Sequence, residues 1–418
     1  MRILIVLHQF YPEFSGGTER VSLNLAMAAQ RAGHFVEILA CSVNPDTTSG
    51  FASAHLAGAR ETVYQGVPLT LLPRALMPAS ADFSLDVDLS LAEKIANWIQ
   101  EKRFDICHVT HVMRMSTAVL AVQRCGLPFI VTLTDFFLAC PRINLVDLDN
   151  RICEGPELGN KCGKSCLTAP WSRESLVSRF EHARALLSSA SFRVAPSEFV
   201  ADRYREAFPE CEFRVIPHGI DLLALTLSQV ANAAQAKAVK KLRLGYVGGI
   251  IPQKGLDVLL RALALVQSND VELKVVGGFH GASAFHRDVL ALGKADGRVE
   301  FLGHLDPTRV CEERQQFELL CLPSLVPETF SLALHEASAL GVPALVSDLG
   351  APSAHVAHHG GGRVLAFGDV NVWADSILQA IENPDQIKTW KARLPLPLRV
   401  EEEGFYYDSL YRALPRVI

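Results

Sequence analysis

The stretch Pro327-Glu328-Thr329-Phe330-Ser331-Leu332-Ala333-Leu334-His335-Glu336-Ala337-Ser338-Ala339-Leu340-Gly341-Val342-Pro343 carries two carboxylates eight residues apart across a loop-to-helix junction. Glu336 sits among Leu332, Ala333, Leu334, Ala337, Ala339 and Leu340, a run apolar enough to bury it. A buried carboxylate is costly unless it is paired or hydrogen-bonded. A neutral polyhydroxylated ligand supplies such bonds, so the segment is a candidate sugar and ribose site. The helix is expected to start between Thr329 and Ser331, either of which suits an N-cap. Gly341-Val342-Pro343 is expected to end it.

Outward from this stretch, short apolar runs alternate with helical patterns. Ile3–Leu7 reads as a first strand, followed by a Gly-rich loop and a helix near Thr18–Ala32. Val36–Ala40, Ile106–Val109, Phe129–Leu133, Arg193–Ala195 and Arg214–Ile216 read as further strands. After Ile216-Pro-His-Gly-Ile-Asp221 the periodicity weakens, and 221–241 reads as a linker. The theme then restarts with strands Leu242–Val247, Leu273–Val276, Val299–Leu302, Leu319–Leu322 and Ala344–Ser347, and with a helix at Leu256–Gln267. Such alternation implies parallel sheets covered by helices. The fold class is α/β, with two Rossmann-like doubly wound domains and ligands expected in the central cleft, outside the carboxyl ends of the strands.

With 418 residues the chain exceeds one typical core, which agrees with two domains. A charged fraction of 20% against 49% hydrophobic excludes a disordered chain. The net charge of -5 gives no basic stripe, so nucleic acid is not an expected partner. No run of about 18 uncharged apolar residues suggests a spanning helix, and Met1–Leu7 reads as a buried strand, not a signal peptide. A cytoplasmic protein is expected, with room for peripheral contact at the inner face of the membrane. The oligomeric state is not legible.

Ser15-Gly16-Gly17-Thr18-Glu19-Arg20 follows the first strand and opens a helix, where free N–H groups and the helix dipole suit a phosphate. The dinucleotide spacing Gly-x-Gly-x-x-Gly is absent. Gly248-Gly249-Ile250-Ile251-Pro252-Gln253-Lys254-Gly255 holds the equivalent place in the second half, with Lys254 as a point charge for a diphosphate. Glu328, on the loop after strand Leu319–Leu322, faces the same region. His108 and His111, at the end of the strand Ile106–Val109, are candidates to contact an acceptor.

These motifs occur in a fixed order: Gly16-Gly17, Phe104-Asp105-Ile106-Cys107-His108, Ile216–Asp221, Gly248–Gly255 and Pro327–Pro343. In this the chain resembles, over nearly its whole length, the retaining GT-B glycosyltransferases of group 1, or family 4, whose Glu-x7-Glu signature matches Glu328 to Glu336. The resemblance implies an N-terminal acceptor-side domain (1–220), a nucleotide-sugar domain (242–385) and a helical tail (386–418) crossing back to the first domain. It implies a hexose donor in the form of a UDP- or GDP-sugar, a glycan or lipid-linked acceptor, and no catalytic metal, in cell-surface polysaccharide or glycoconjugate synthesis. Glu328 would bind the donor sugar. The backbone of Thr329, Phe330, Ser331 and Leu332 would hold sugar and diphosphate. Glu336 would bind the ribose, Lys254 with Gly248 and Gly249 the diphosphate, and Gly16 with Gly17 would approach the phosphates. Asp135, Thr134 and His108 join Glu328 as candidates at the reacting centre. The leaving diphosphate itself would help deprotonate the acceptor.

The chain departs from the family at three places. Thr134 stands where a histidine is usual, and threonine cannot serve as a near-neutral acid or base. Ile250 stands near the position of a customary arginine. The glutamate usual after Gly350-Ala351 is replaced near Ala354-His355. Two other readings follow, a catalytically weak sugar-nucleotide-binding partner subunit and a nucleotide-sugar epimerase on the same fold.

Ten cysteines are present. Six are scattered and read as free buried thiols. Cys140, Cys153, Cys162 and Cys166 cluster in a segment, 140–166, inserted after the Thr134-Asp135 strand. A structural zinc ordering a loop without its own core, free or paired thiols, and an iron–sulfur cluster are the open readings.

Overall fold

Ile3, Leu4, Ile5, Val6 and Leu7 have no exposed surface at all, the signature of a strand covered on both faces. They form β1 (Arg2–Leu7), the centre of a nine-stranded sheet. The computed structural model describes residues 1–44, 51–53, 56, 58–169, 171–222, 241–279 and 283–415. The chain divides into two units, Met1–Gly219 with Val400–Ile418, and Ile220–Arg399. Most of the expected linker, residues 223–240, lies outside the described residues.

In the first unit the remaining strands are β2 (Phe35–Ser42), β3 (Phe51–Ala52), β4 (Arg60–Tyr64), β5 (Val67–Pro73), β6 (Ile106–Val109), β7 (Phe129–Thr132), β8 (Phe192–Ala195) and β9 (Arg214–Val215). Their order is β3-β4-β5-β2-β1-β6-β7-β8-β9. All neighbours are parallel except β3 with β4 and β4 with β5. Ile5 is in register with both Ile38 and His108, so β1, β2 and β6 end at a common edge. The strand order reverses on either side of β1 and β6, which is where a doubly wound sheet opens a binding crevice. The loops carrying Gly16-Gly17 and His111 leave the sheet there.

The second unit repeats the scheme with β10 (Leu242–Val247), β11 (Val271–Val276), β12 (Val299–Gly303), β13 (Leu319–Leu322), β14 (Ala344–Ser347) and β15 (Gly362–Leu365), in the order β12-β11-β10-β13-β14-β15, all parallel. Its switch point lies between β10 and β13. The loop with Lys254 follows the first and the loop with Glu328 follows the second.

The sequence reading missed β3, β4, β5 and β15. The β4 residues Arg60-Glu61-Thr62-Val63-Tyr64 are half-exposed, and β15 opens on Gly362-Arg363, so neither presents an apolar run. The expected tail also needs correction. Residues 386–399 belong to the second unit, because Ile387 and Trp390 of the helix Pro384–Lys391 are buried in its core. Only from Val400 does the chain rejoin the first unit. There the helix Val400–Ala413 lies on the helix Gly17–Arg31, so close at Gly404 that a Cβ would come within 2.6 Å of the Ala28 methyl.

Candidate functional site

In the second unit, the chain between β13 and the helix Leu332–Ala339 carries Glu328, and the loop after β10 carries Lys254. The two loops are zipped together. Leu325 donates its N–H to the Gln253 carbonyl at 2.8 Å. Gly255 has φ +64°, and a Cβ there would lie 2.0 Å from the Pro323 carbonyl oxygen. This brings Lys254 Nζ to 2.9 Å from Glu328 Oε1, with the carboxylate side chain only 11% exposed. The Ser324 hydroxyl also donates to Glu328. Burial works to raise the Glu328 pKa, but the Lys254 charge and hydrogen bonds from Ser324, Lys254 and Ser331 outweigh it and hold the carboxyl below its ordinary range. Gly350, at φ +70°, turns under this loop. A Cβ there would lie 2.5 Å from the Glu328 nitrogen, and Ala351 donates to the Glu328 carbonyl at 2.9 Å. The residues assigned separately to sugar and diphosphate thus form one charge pair.

The helix begins one residue after the expected range, at Leu332. Ser331 precedes it in the left-handed region, φ 69°, and no side chain caps the helix. Its hydroxyl turns to Glu328 instead. Glu336 is buried as expected, but its counter-charge is protein. Arg314 Nη1 of the helix Pro307–Gln315 lies 2.8 Å from Glu336 Oε2, with both side chains 4% exposed. Arg314 Nε is buried and has no partner among the described residues. Arg314 is not legible from sequence, because it lies in the charged run Glu312-Glu313-Arg314 that reads as a solvated face.

Gly277 approaches Gly248 so closely that a Cβ would sit 1.9 Å from its carbonyl oxygen, while Gly249 faces open space. Ile250, where an arginine is usual in the family, is a fully buried core residue bonded through its N–H to Gly278. His355 stands near where the family usually has a glutamate after Gly350-Ala351. It packs 4.5 Å from His335, which stacks on Phe330 at 3.9 Å. Burial pushes the His355 pKa down to about 3, so the ring is neutral.

In the first unit the structure singles out a different histidine from the sequence. His108 is fully buried, with Nδ1 2.7 Å from the Tyr411 hydroxyl and Nε2 2.8 Å from Thr132 Oγ1. Thr132 Oγ1 in turn meets the Tyr407 hydroxyl. Burial lowers the His108 pKa to about 3. This corrects its candidacy at the reacting centre: it is a strand residue locked under the tail helix. His111, beyond the strand end, is the one that pairs. Its Nε2 contacts Asp135 Oδ2, and its Nδ1 accepts the Met113 N–H at 3.1 Å. The ring proton therefore sits on Nε2, toward Asp135. Asp135 Oδ1 accepts the Phe137 N–H at 2.8 Å. Thr134 donates its hydroxyl to the Thr110 carbonyl at 2.9 Å.

His8, one residue past β1, lies with its ring 3.9 Å from that of His111 and its Nε2 3.7 Å from Glu19 Oε1. Burial first, then His111 and Arg114, lowers the His8 pKa well below its ordinary value. Glu19 is 1% exposed in the first turn of the helix opened by Gly16 and Gly17, where the helix dipole favours a carboxylate. His8 Nδ1 and Glu19 Oε1 are buried and have no hydrogen-bond partner among the described residues. A void of about 10 Å³ between Thr110, His111, Thr134 and Asp135 has room for one water. His8 and Glu19 were legible only through position, as polar residues directly beyond an apolar strand and beside the glycines.

Of the open readings for the four clustered cysteines, the arrangement favours free thiols. All four are free thiols, and among the described residues no three His, Cys, Asp or Glu are placed to hold a metal. Backbone contacts and buried thiols hold the insertion together. Val146 bridges Ile152, Cys153 donates to the Leu145 carbonyl at 2.7 Å, and Cys140, Cys162 and Cys166 are buried. Burial raises the thiol of Cys162 to about 12 and that of Cys166 to about 11, so both stay protonated.

Comparison with known proteins matches both halves of the chain to family models. Residues 15–222 match Glycosyltransferase Family 4 and residues 229–394 match Glycosyl transferases group 1. The chain is 24% identical over 375 residues to a phosphatidyl-myo-inositol mannosyltransferase of Mycolicibacterium smegmatis, covering 89% of this chain and 83% of that one. It is 31% identical over 188 residues to a D-inositol 3-phosphate glycosyltransferase of Nocardia farcinica, covering 42% of this chain and 41% of the relative. Among solved structures, a sucrose-phosphate synthase from Thermosynechococcus elongatus superposes with a TM-score of 0.71 at 16% identity, covering 99% of this chain and 98% of that one. The Anabaena protein HepE, in complex with UDP and glucose, gives 0.69 at 17%, covering 99% of this chain and all of that one. The fold is GT-B.

Proposed function

We infer that this chain, which belongs to the group 1 glycosyltransferases of family 4, moves a hexose from a nucleotide diphosphate sugar to a glycan or lipid-linked acceptor with retention at the anomeric carbon. The observation that carries the reading is the Lys254–Glu328 contact at 2.9 Å, a cation and a carboxylate on the two loops that flank one switch point. In this reading Lys254 and the uncapped N-terminus of the helix Leu332–Ala339 hold the diphosphate. Glu328 accepts hydroxyls of the donor sugar, and Glu336, already neutralised by Arg314, accepts from the ribose. In the chemical step the bond from the anomeric carbon to the diphosphate oxygen breaks. The acceptor oxygen bonds to that carbon on the same face, and its proton passes to the leaving diphosphate. Asp135, held by His111 Nε2 and the Phe137 N–H, keeps lone pairs to orient the acceptor hydroxyl beside the place where Thr134 replaces a histidine.

Several facts support this reading. Structures of HepE, of the same fold, were obtained with UDP and with UDP-glucose, and one relative is named for a phosphatidyl acceptor. Among the described residues no helix is long and apolar enough to cross a membrane, which is compatible with a cytoplasmic enzyme working at the membrane surface on a glycoconjugate. A thermal-shift screen of UDP-, GDP- and ADP-sugars identifies the donor, since a ligand of the folded state raises its stability. Release of the nucleoside diphosphate then reports turnover. Loss of release in Glu328→Ala with the donor shift retained by wild type is expected. Full activity in that variant would falsify the assignment. Donor binding without release under any acceptor would favour a non-catalytic partner subunit.

A further inference from the structure

The loops 248–255 and 323–331 of the second unit carry one basic side chain, Lys254, and one acidic, Glu328, and these two are engaged with each other at 2.9 Å. Ile250, where the family usually has a second cation, is a fully buried core residue. A diphosphate that takes Lys254 must therefore take it from Glu328. The two members of the pair are not equally free to let go. Ser324 and Ser331 donate to the Glu328 carboxylate, Ala351 donates to its carbonyl at 2.9 Å, and Gly350 packs against its nitrogen. The Lys254 side chain is 34% exposed on a flexible four-carbon stem. The pair opens by a swing of the lysine and leaves the carboxylate where it is.

What opening costs depends on the ligand. Glu328, 11% exposed, loses its counter-charge when Lys254 turns to a phosphate. Taking one partner from a buried pair leaves an uncompensated charge, and that is more unfavourable than the pair was favourable. The Ser324 and Ser331 hydroxyls stay but carry no charge. The uncapped N-terminus of the helix Leu332–Ala339 adds about half a unit charge, less than the lysine under contest. A free nucleoside diphosphate offers the stranded carboxylate no donor and sets further negative charge near it. An intact nucleotide sugar brings hydroxyls that donate to it, and hydrogen bonding removes much of the cost of a buried carboxylate. The same contact thus weakens the hold on the product and favours the molecule that still carries a sugar.

We propose that Glu328 competes with the diphosphate for Lys254, so that the site discriminates against the free nucleoside diphosphate in favour of the intact nucleotide sugar; this rests on the donor reading above. Titration calorimetry of the full chain with UDP, GDP and ADP, and with UDP-glucose, GDP-mannose and ADP-glucose, tests it. Glu328→Gln keeps the shape of the side chain and removes its charge. It should bind the preferred nucleoside diphosphate about tenfold tighter than wild type, and the preference for the sugar conjugate over that diphosphate should shrink. Glu328→Ala supplies the same comparison where the glutamine variant does not fold. In a Lys254→Met background the exchange Glu328→Gln should change diphosphate affinity by less than about twofold, because nothing is left to compete for. A Glu328→Gln variant that binds the diphosphate no tighter than wild type, or keeps the full preference for the conjugate, overturns the proposal and leaves the nucleotide reading standing. A gain that persists in the Lys254→Met background also overturns it, since plain repulsion between carboxylate and phosphate then accounts for the effect. Absence of binding heat with all three diphosphates, in wild type and in Glu328→Gln, sinks the nucleotide reading and the proposal with it.

Discussion

Arg314→Met removes one partner of the most deeply buried ion pair in the second unit while keeping most of the side-chain volume. The two charges are 2.8 Å apart with both side chains 4% exposed. At an effective dielectric of about 20 their gross attraction is about 6 kcal/mol. Desolvation of two ions costs several kcal/mol each, so the net value of the pair is close to zero. Breaking it is another matter, because Glu336 loses its Arg314 counter-charge in a buried site. The expected loss is about 3–5 kcal/mol, or roughly 6–20 °C in the midpoint of a unit of this size. Scanning calorimetry resolves that transition from the first unit. The double variant Arg314→Met with Glu336→Leu should recover most of the loss, since it buries no charge. Donor affinity should not recover, because the ribose acceptor is gone. A single variant within about 1 kcal/mol of wild type would refute the buried-pair argument. A double variant that binds donor normally would refute the role of Glu336.

Gly350→Ala places a Cβ 2.5 Å from the Glu328 nitrogen at φ +70°. It should cost about 1–2 kcal/mol in backbone strain alone and lower donor affinity by displacing Glu328, read by calorimetry and thermal shift. Glu328, whose folded pKa is depressed, contributes stability that is present above its ordinary value of 4.5 and lost as pH falls through the folded pKa. Glu328→Gln should therefore flatten the acid limb of a melting-temperature profile below about pH 4.5, and an unchanged limb counts against the charge pair. His108→Phe should lower the melting temperature, because Tyr411 and Thr132 lose a buried partner, yet leave turnover per folded molecule intact. His111→Asn should do the reverse, lowering kcat by about 10²-fold or more with little change in stability. Swapped outcomes would restore His108 as the reacting-centre residue.

What could be read from the chain follows from periodicity. β1, β6, β13 and β14 are buried on both faces, so they appear as runs of apolar residues, broken in β6 only by His108, and Gly248-Gly249 mark the turn after β10. Glu328, Lys254 and Gly350 lie on loops next to such runs, where a polar residue is informative. What could not be read are partners remote in sequence. Arg314 sits in a helix whose other face is charged and exposed, and only the packing of that helix beside Leu332–Ala339 turns it toward Glu336. His108 and His111 look equivalent as letters. Tyr407 and Tyr411, some 300 residues later, decide which of them is structural.

That division bears on the doubt raised by Thr134. Judged by spacing alone, the replacement of a histidine there removes the near-neutral acid or base usual at that position. In three dimensions an imidazole comes from the neighbouring strand end. Thr134 hands its hydroxyl to the Thr110 carbonyl, and the imidazole of His111 reaches Asp135 from the same turn, with its proton fixed on Nε2 by the Met113 N–H. His8 sets a second imidazole ring against the first, 3.9 Å between centroids. Both ring nitrogens of His111 are used, toward Asp135 and Met113, while the Asp135 carboxylate keeps lone pairs free. In the proposed function it is therefore Asp135, positioned by His111, that meets the acceptor hydroxyl beside Thr134.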